Sequence, residues 1–121
     1  MPQHNNVTMN VRDTGDRISI IDIRGEVTAY AENLLADAFT QASAKARAVI
    51  LNFTGLEYMN STGIGLLVTL LIRAQRQQVR LMACGLSEHY QQIFELTRLN
   101  EAILLFPTET DALASLNTTH A

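Results

Sequence analysis

Four consecutive residues, Asn60, Ser61, Thr62 and Gly63, stand where chemistry could be done. They precede a run whose apolar residues recur at helical spacing. Asn, Ser and Thr all cap helices by accepting a hydrogen bond from an early backbone N–H. The first N–H groups of a helix lack intrahelical partners and carry the positive end of its dipole, so the turn holding Ser61 and Thr62 favours a negative group. A phosphate ester there would add roughly −1.5 to −2 charges at neutral pH to a surface that otherwise offers hydroxyls. The same residues also suit plain capping, with Asn60 or Ser61 as the N-cap, and spacing leaves both readings open.

The elements that position this turn follow from the flanking pattern. Residues 48–53 are β-branched and apolar, as in a strand covered on both faces; residues 54–59 read as a loop. Stepping about 100° per residue from Ile64, Ile64, Leu67, Val68, Leu70, Leu71, Ile72 and Ala74 fall on one broad arc. Thr69, Arg73, Arg76 and Gln77 fall opposite, and Leu66 falls with them. Leu66 is either an isolated exposed leucine or part of a partner patch.

Elsewhere, Val7, Met9 and Val11 alternate with polar residues as in a half-buried strand, and residues 13–16 form a turn. Residues 17–24 read as a second strand, antiparallel to the first, whose apolar phase slips at Ile20–Ile21 through a bulge or through cover on both faces. Thr28 is placed to cap a helix running to about Ala46, with Leu35, Ala38, Phe39, Ala42 and Ala46 on its packed face. A parallel crossover then leads into residues 48–53. A strand at 79–84, a helix at 88–96 behind Ser87, a strand at 102–106 and a helix from Thr108 to about Leu116 complete the chain. Thr108 and Asp111 there resemble a capping box. Residues 117–121 are expected to fray.

The chain has 121 residues, 47% hydrophobic and 17% charged, enough apolar material for one core and one domain. The net charge of −3 argues against direct nucleic-acid binding, which needs a basic face, and Arg73, Arg76 and Arg80 read as solvated helix-end residues. The lone Cys84 excludes an intrachain disulfide and fits a reducing compartment. His4, His89 and His120 are too dispersed to form a metal site with it. The N-terminal residues lack a signal pattern, and the apolar run at 64–72 falls well short of the roughly 18 to 20 residues of a membrane helix, so a cytoplasmic protein without membrane insertion is expected. Enzyme templates fail at the same turn. A nucleophile elbow needs G-x-S-x-G, but Met59 replaces the first glycine. The dinucleotide fingerprint breaks at Val68, where a third glycine should follow Gly63 and Gly65. No catalytic residue and no cofactor are assigned.

The order of elements, Gly25-Glu26-Val27 after the second strand, Val49-Ile50-Leu51-Asn52 as the middle strand, and above all residues 58–65, YMNSTGIG, resemble the STAS domain, particularly bacterial anti-sigma factor antagonists. The resemblance spans residues 7–116. It implies an α/β fold: a small mixed sheet of about five strands with about four helices packed against it, as a single domain. It also implies partner switching: binding to an anti-sigma factor that is also a serine protein kinase, phosphorylation at the helix start, and reversal by a phosphatase. Carried over, Ser61 matches the phospho-acceptor, and Thr62 is the less favoured neighbouring hydroxyl. Gly25, Glu26, Asn60, Ser61, Thr62, Gly63 and Leu66 match the partner-binding region. Related antagonists usually have Asp before the acceptor; here it is Asn60, which keeps the capping function and loses a negative charge. Two other readings stay open: a STAS binding module that never cycles, in a signalling or transport complex, and an enzyme whose turnover Ser61→Ala would abolish.

Overall fold

The computed structural model describes residues 6–117. Strands β1 (Val7–Asp13), β2 (Ile18–Val27), β3 (Ala48–Met59), β4 (Arg80–Cys84) and β5 (Leu104–Phe106) alternate, from β2 onward, with helices α1 (Glu32–Ser43), α2 (Ser61–Arg76), α3 (Glu88–Leu96) and, last, α4 (Glu109–Asn117). The strands form one five-stranded sheet in the order β1-β2-β3-β4-β5. β1 pairs antiparallel with β2 across the turn at 14–17, and every later pairing is parallel. This is the mixed α/β sheet expected from the sequence.

Period-two alternation divides the strand residues between two faces. Ile21, Ile23, Val49, Leu51, Phe53, Leu81 and Ala83 join Leu35 and Phe39 of α1, Leu67 and Leu70 of α2, and Tyr90 and Phe94 of α3 in one continuous core. On the other face Ile18, Ile20, Ala48, Ile50, Met82 and Cys84 pack against Ala112 and Leu116 of α4. The phase slip at Ile20–Ile21 is therefore cover on both faces, since the register with β3 runs unbroken from Ile18↔Ala48 to Asp22↔Asn52.

Besides β2 running on through Gly25, Glu26 and Val27, and the last strand starting at Leu104 rather than at residue 102, three expectations need correction. Residues 54–59 are strand, not loop. β3 continues to Met59 along β2, with register shifts between Asp22 and Arg24 and again between Gly25 and Glu26. Each shift places an extra β3 residue in the ladder, and β4 has already ended at Cys84 opposite Asn52, so the segment is paired on one side and loses clean alternation. Second, the helix predicted from Thr28 to about Ala46 is split. Thr28 caps a 3-10 turn at Ala29–Ala31 by accepting from the Tyr30 N–H at 3.4 Å, and α1 ends at Ser43.

The third correction concerns the orientation of α2. Gly63, Leu67, Leu70 and Ala74 form its buried ridge, while Val68 (39% exposed) and Ile72 (44%) face solvent. Leu66, placed by the sequence among polar residues, is half-buried against the main core beside Leu35 and Ala36 of α1. Arg73 is half-buried too: its guanidinium lies 4.9 Å from the Phe39 ring centroid and donates to the Ala36 carbonyl and the Thr40 hydroxyl at 3.3 and 3.1 Å. Arg76 and Arg80 are exposed as expected.

Candidate functional site

The end of β2, the end of β3 and the start of α2 meet at one point. Val27 pairs with Met59, and the next N–H, that of Asn60, donates to the Val27 carbonyl at 3.3 Å. Asn60 has extended backbone (φ −94°, ψ −176°), and its side-chain Oδ1 accepts from the Gly63 N–H at 2.9 Å. Its carbonyl accepts from the Ile64 N–H at 3.0 Å, which closes the first turn. Asn60 is thus the N-cap, and the choice left open by spacing is settled in its favour. Ser61 and Thr62 are the first two residues of the helix, both exposed, and neither hydroxyl has a hydrogen-bond partner among the described residues.

Gly63 makes this junction possible. A Cβ at that position would lie 2.3 Å from the Val27 carbonyl oxygen and 2.7 Å from Met59 Cγ. The helix start therefore rests directly on the strand ends, and no larger residue fits without displacing backbone. Gly65 differs: a Cβ there would meet nothing within 4 Å. Ser61, Gly65, Val68 and Ile72 follow one another at helical spacing along the solvent side of α2, so the hydroxyl leads into an exposed strip that is small and then apolar.

Not all residues singled out by sequence contribute surface. Gly25 is buried with φ +93°, and a Cβ on it would stand 2.0 Å from the Asn6 carbonyl oxygen, so it serves the bulged strand. Gly63 is likewise buried. Glu26 is half-buried on β2 opposite Tyr58, and its N–H donates to Asn6 O at 2.8 Å. Leu66 lines a small apolar groove between α1 and α2 with Leu35, Ala36, Leu70 and Arg73.

One contributor was not visible in the sequence. The Met59 N–H donates to the hydroxyl of Tyr90, on α3, at 2.8 Å, in a buried bond that spans 31 residues. The His89 ring meets the Tyr90 ring edge to face, with centroids 4.8 Å apart. No sequence signal joins Met59 to Tyr90.

On the opposite face of the sheet lies a polar cluster. Arg12 donates from Nε to Asp22 at 2.6 Å and from Nη2 to both Asp22 (2.9 Å) and Glu109 (2.7 Å). Asn52 donates to Asp22 at 2.8 Å and accepts from the Thr54 hydroxyl and more weakly from the Cys84 thiol. The hydrogen bonds from Arg12 hold the Asp22 carboxyl below its usual range despite partial burial, and they raise the Arg12 value. Burial pushes the Cys84 thiol up to about 11, which keeps it protonated at neutral pH. Among the described residues no group of three His, Cys, Asp or Glu side chains is placed to hold a metal ion, and no helix is long and apolar enough to cross a membrane.

The arrangement defines an α/β module that presents a capped helix start with free hydroxyls at the end of its central strands. The STAS domain profile matches residues 10–112, and the chain belongs to that family, with homology to bacterial anti-sigma factor antagonists. It is 32% identical over 98 residues to the anti-sigma-B factor antagonist of Listeria monocytogenes, covering 80% of this chain and 84% of that protein. Its fold matches the crystal structure of an anti-sigma factor antagonist from Mycobacterium paratuberculosis with a TM-score of 0.78 at 21% identity, covering 92% and 94% of the two chains. It also matches the Bacillus cell fate determinant SpoIIAA in its phosphorylated form, with a TM-score of 0.71 at 19% identity over 90% and 99%. The family consists of non-catalytic regulatory modules, and the enzyme reading is set aside.

Proposed function

We propose that this chain is an anti-sigma factor antagonist that works by partner switching, with Ser61 as its phospho-acceptor. Unmodified, the Ser61 turn and the exposed side of α2 bind an anti-sigma factor that is also a serine protein kinase, which frees the sigma factor for transcription. The kinase transfers the terminal phosphoryl group of ATP to the Ser61 hydroxyl, releasing ADP and the hydroxyl proton. The partner face then carries a dianion, whose desolvation opposes rebinding, and a phosphatase restores the hydroxyl by hydrolysis. The observation that carries this reading is the division of labour at the helix start. Asn60 makes the cap bond to Gly63, so the Ser61 hydroxyl is exposed and has no structural task. The positive helix end favours the charge that phosphate adds. The similarity in fold to a protein whose structure is known in a phosphorylated form agrees with it.

The test is capture of partners from native cytosol with and without ATP, followed by intact-mass analysis and phosphate mapping. A kinase-like partner together with phosphate on Ser61 supports the switch, and Ser61→Asp should then weaken the same complex. Unchanged affinity in both Ser61→Asp and the phosphorylated protein overturns it. A stable complex with no phosphate under ATP favours a non-cycling binding module, for which Asn60 in place of the usual acidic residue is the supporting observation.

A further inference from the structure

We propose that Tyr90 is the positioning residue of the Ser61 turn, acting from α3 through the backbone of β3; the functional half of this inference rests on Ser61 being the acceptor. β4 stops at Cys84, opposite Asn52, so the last residues of β3 run on with a strand neighbour on the β2 side alone. On the other side the N–H of Met59, two residues before Ser61, has no strand to bond to and donates instead to the Tyr90 hydroxyl at 2.8 Å. Met59 is 4% exposed and Tyr90 8%, so water does not substitute easily for this bond.

The chemistry of the side chain sharpens the point. The Tyr90 ring packs in the main core, a task that phenylalanine would perform equally well. What tyrosine adds is the oxygen, and that oxygen is engaged by the Met59 amide, with no acceptor for its own proton among the described residues. Besides the helical bond from Ile64 to the Asn60 carbonyl, three bonds fix the turn: Asn60 N–H to the Val27 carbonyl, the Asn60 cap to Gly63, and Met59 N–H to Tyr90. The first ties the turn to the end of β2, and the second lies within the turn. The third is the one that comes from a side chain on another helix, so a shift of α3 is carried by it to the residue before the cap.

The test compares Tyr90→Phe, which keeps the ring and deletes the acceptor, with Gln91→Ala. The latter removes another α3 bond, from Gln91 to the Leu86 carbonyl at 2.9 Å, and leaves Met59 untouched. Amide hydrogen exchange read by NMR should quicken roughly tenfold at Met59 in Tyr90→Phe, the change expected for one lost buried hydrogen bond, with α1 and β1 unchanged. Gln91→Ala should leave Met59 at its wild-type rate. In native cytosol with ATP, the initial rate of phosphate incorporation at Ser61, read by intact mass, should fall several-fold in Tyr90→Phe and hold in Gln91→Ala. Wild-type exchange at Met59 in Tyr90→Phe overturns the inference, as does faster exchange accompanied by an unchanged phosphorylation rate. Faster exchange throughout the molecule also overturns it, because Tyr90 would then be a core residue and nothing more. If wild-type protein takes no phosphate on Ser61, the acceptor reading fails by itself; the exchange data still decide, with acceleration confined to residues 59–63 upholding the positioning role.

Discussion

Against one face of the sheet, α1, α2 and α3 seal an apolar core that runs from Ile21 and Leu51 to Phe39, Leu67 and Phe94. Against the other, among the described residues, α4 is the one helix that covers Ile18, Ile20, Ile50 and Met82, and beside it the strands carry Arg12, Asp22 and Asn52 in a charged, hydrogen-bonded cluster. Both surfaces come from the same strands by alternation, yet they are held by different forces. The first rests on buried area and close packing, and the Ser61 turn is attached to it through α2 and Tyr90. The second is partly electrostatic and lies across the sheet from the turn. Disturbing the first should therefore be felt at Ser61, while disturbing the second should not.

The largest effect expected is in the main core. Phe39→Ala removes a fully buried ring that also supports the Arg73 guanidinium, and it should cost about 3–5 kcal/mol in urea unfolding. Leu116→Ala, under α4, should cost about 2 kcal/mol, at the low end for a buried leucine, because the apolar cluster it packs in is the smaller of the two. Equal losses would erase the distinction between the faces. At the junction, Gly63→Ala should destabilise by about 1–3 kcal/mol through the clash with the Val27 carbonyl. Gly65→Ala, with open space around it, should stabilise by up to about 1 kcal/mol as helix propensity rises. Both are read from the shift in unfolding midpoint.

A smaller effect is expected at the cap. Asn60→Ala should cost about 1 kcal/mol, whereas Asn60→Asp keeps a capping oxygen and should stay close to wild type in thermal unfolding. The smallest effect belongs to the charged cluster, since Arg12 and Glu109 are each about one-third exposed. Asp22→Asn should cost at most about 1 kcal/mol at neutral pH. Its signature is in the pH dependence. The folded carboxyl titrates below the unfolded one, whose value is near 4. The Asp22 contribution is therefore complete above about pH 4 and is lost as pH falls through the lower folded value. Asp22→Asn should flatten that part of the acid limb in denaturant titrations across pH, and an unaltered limb would show that the cluster contributes nothing.

What the sequence revealed and what it hid follow the same divide between local and distant causes. A cap at Asn60 or Ser61, the helix behind Ser87 and the apolar strand at Ala48 all express themselves within a few residues, and each was legible, although only the folded turn chose Asn60. The continuation of β3 through Gly55, Glu57 and Tyr58 was not, because one-sided pairing and two register shifts erase the alternation by which a strand is recognised. Val68 and Ile72 were assigned inward because an apolar residue carries no mark of which neighbour it will meet, and the ridge at Gly63, Leu67, Leu70 and Ala74 left no room for them. Arg73 was assigned outward on charge, although its long aliphatic stem and planar head let it lie over Phe39. The contact between Tyr90 and Met59 depends on where β4 stops, which is a property of the folded sheet.

Cys84 has a practical consequence. It is the sole thiol of the chain, 1% exposed, and burial keeps it in the protonated, unreactive form. The folded protein is in effect silent to maleimides and other thiol-directed dyes. A cysteine introduced at solvent-facing Thr69, two turns along α2 from Ser61, would therefore accept a single fluorophore without removal of the native thiol. That dye would turn the helix beside Ser61 into an optical reporter of binding at this face.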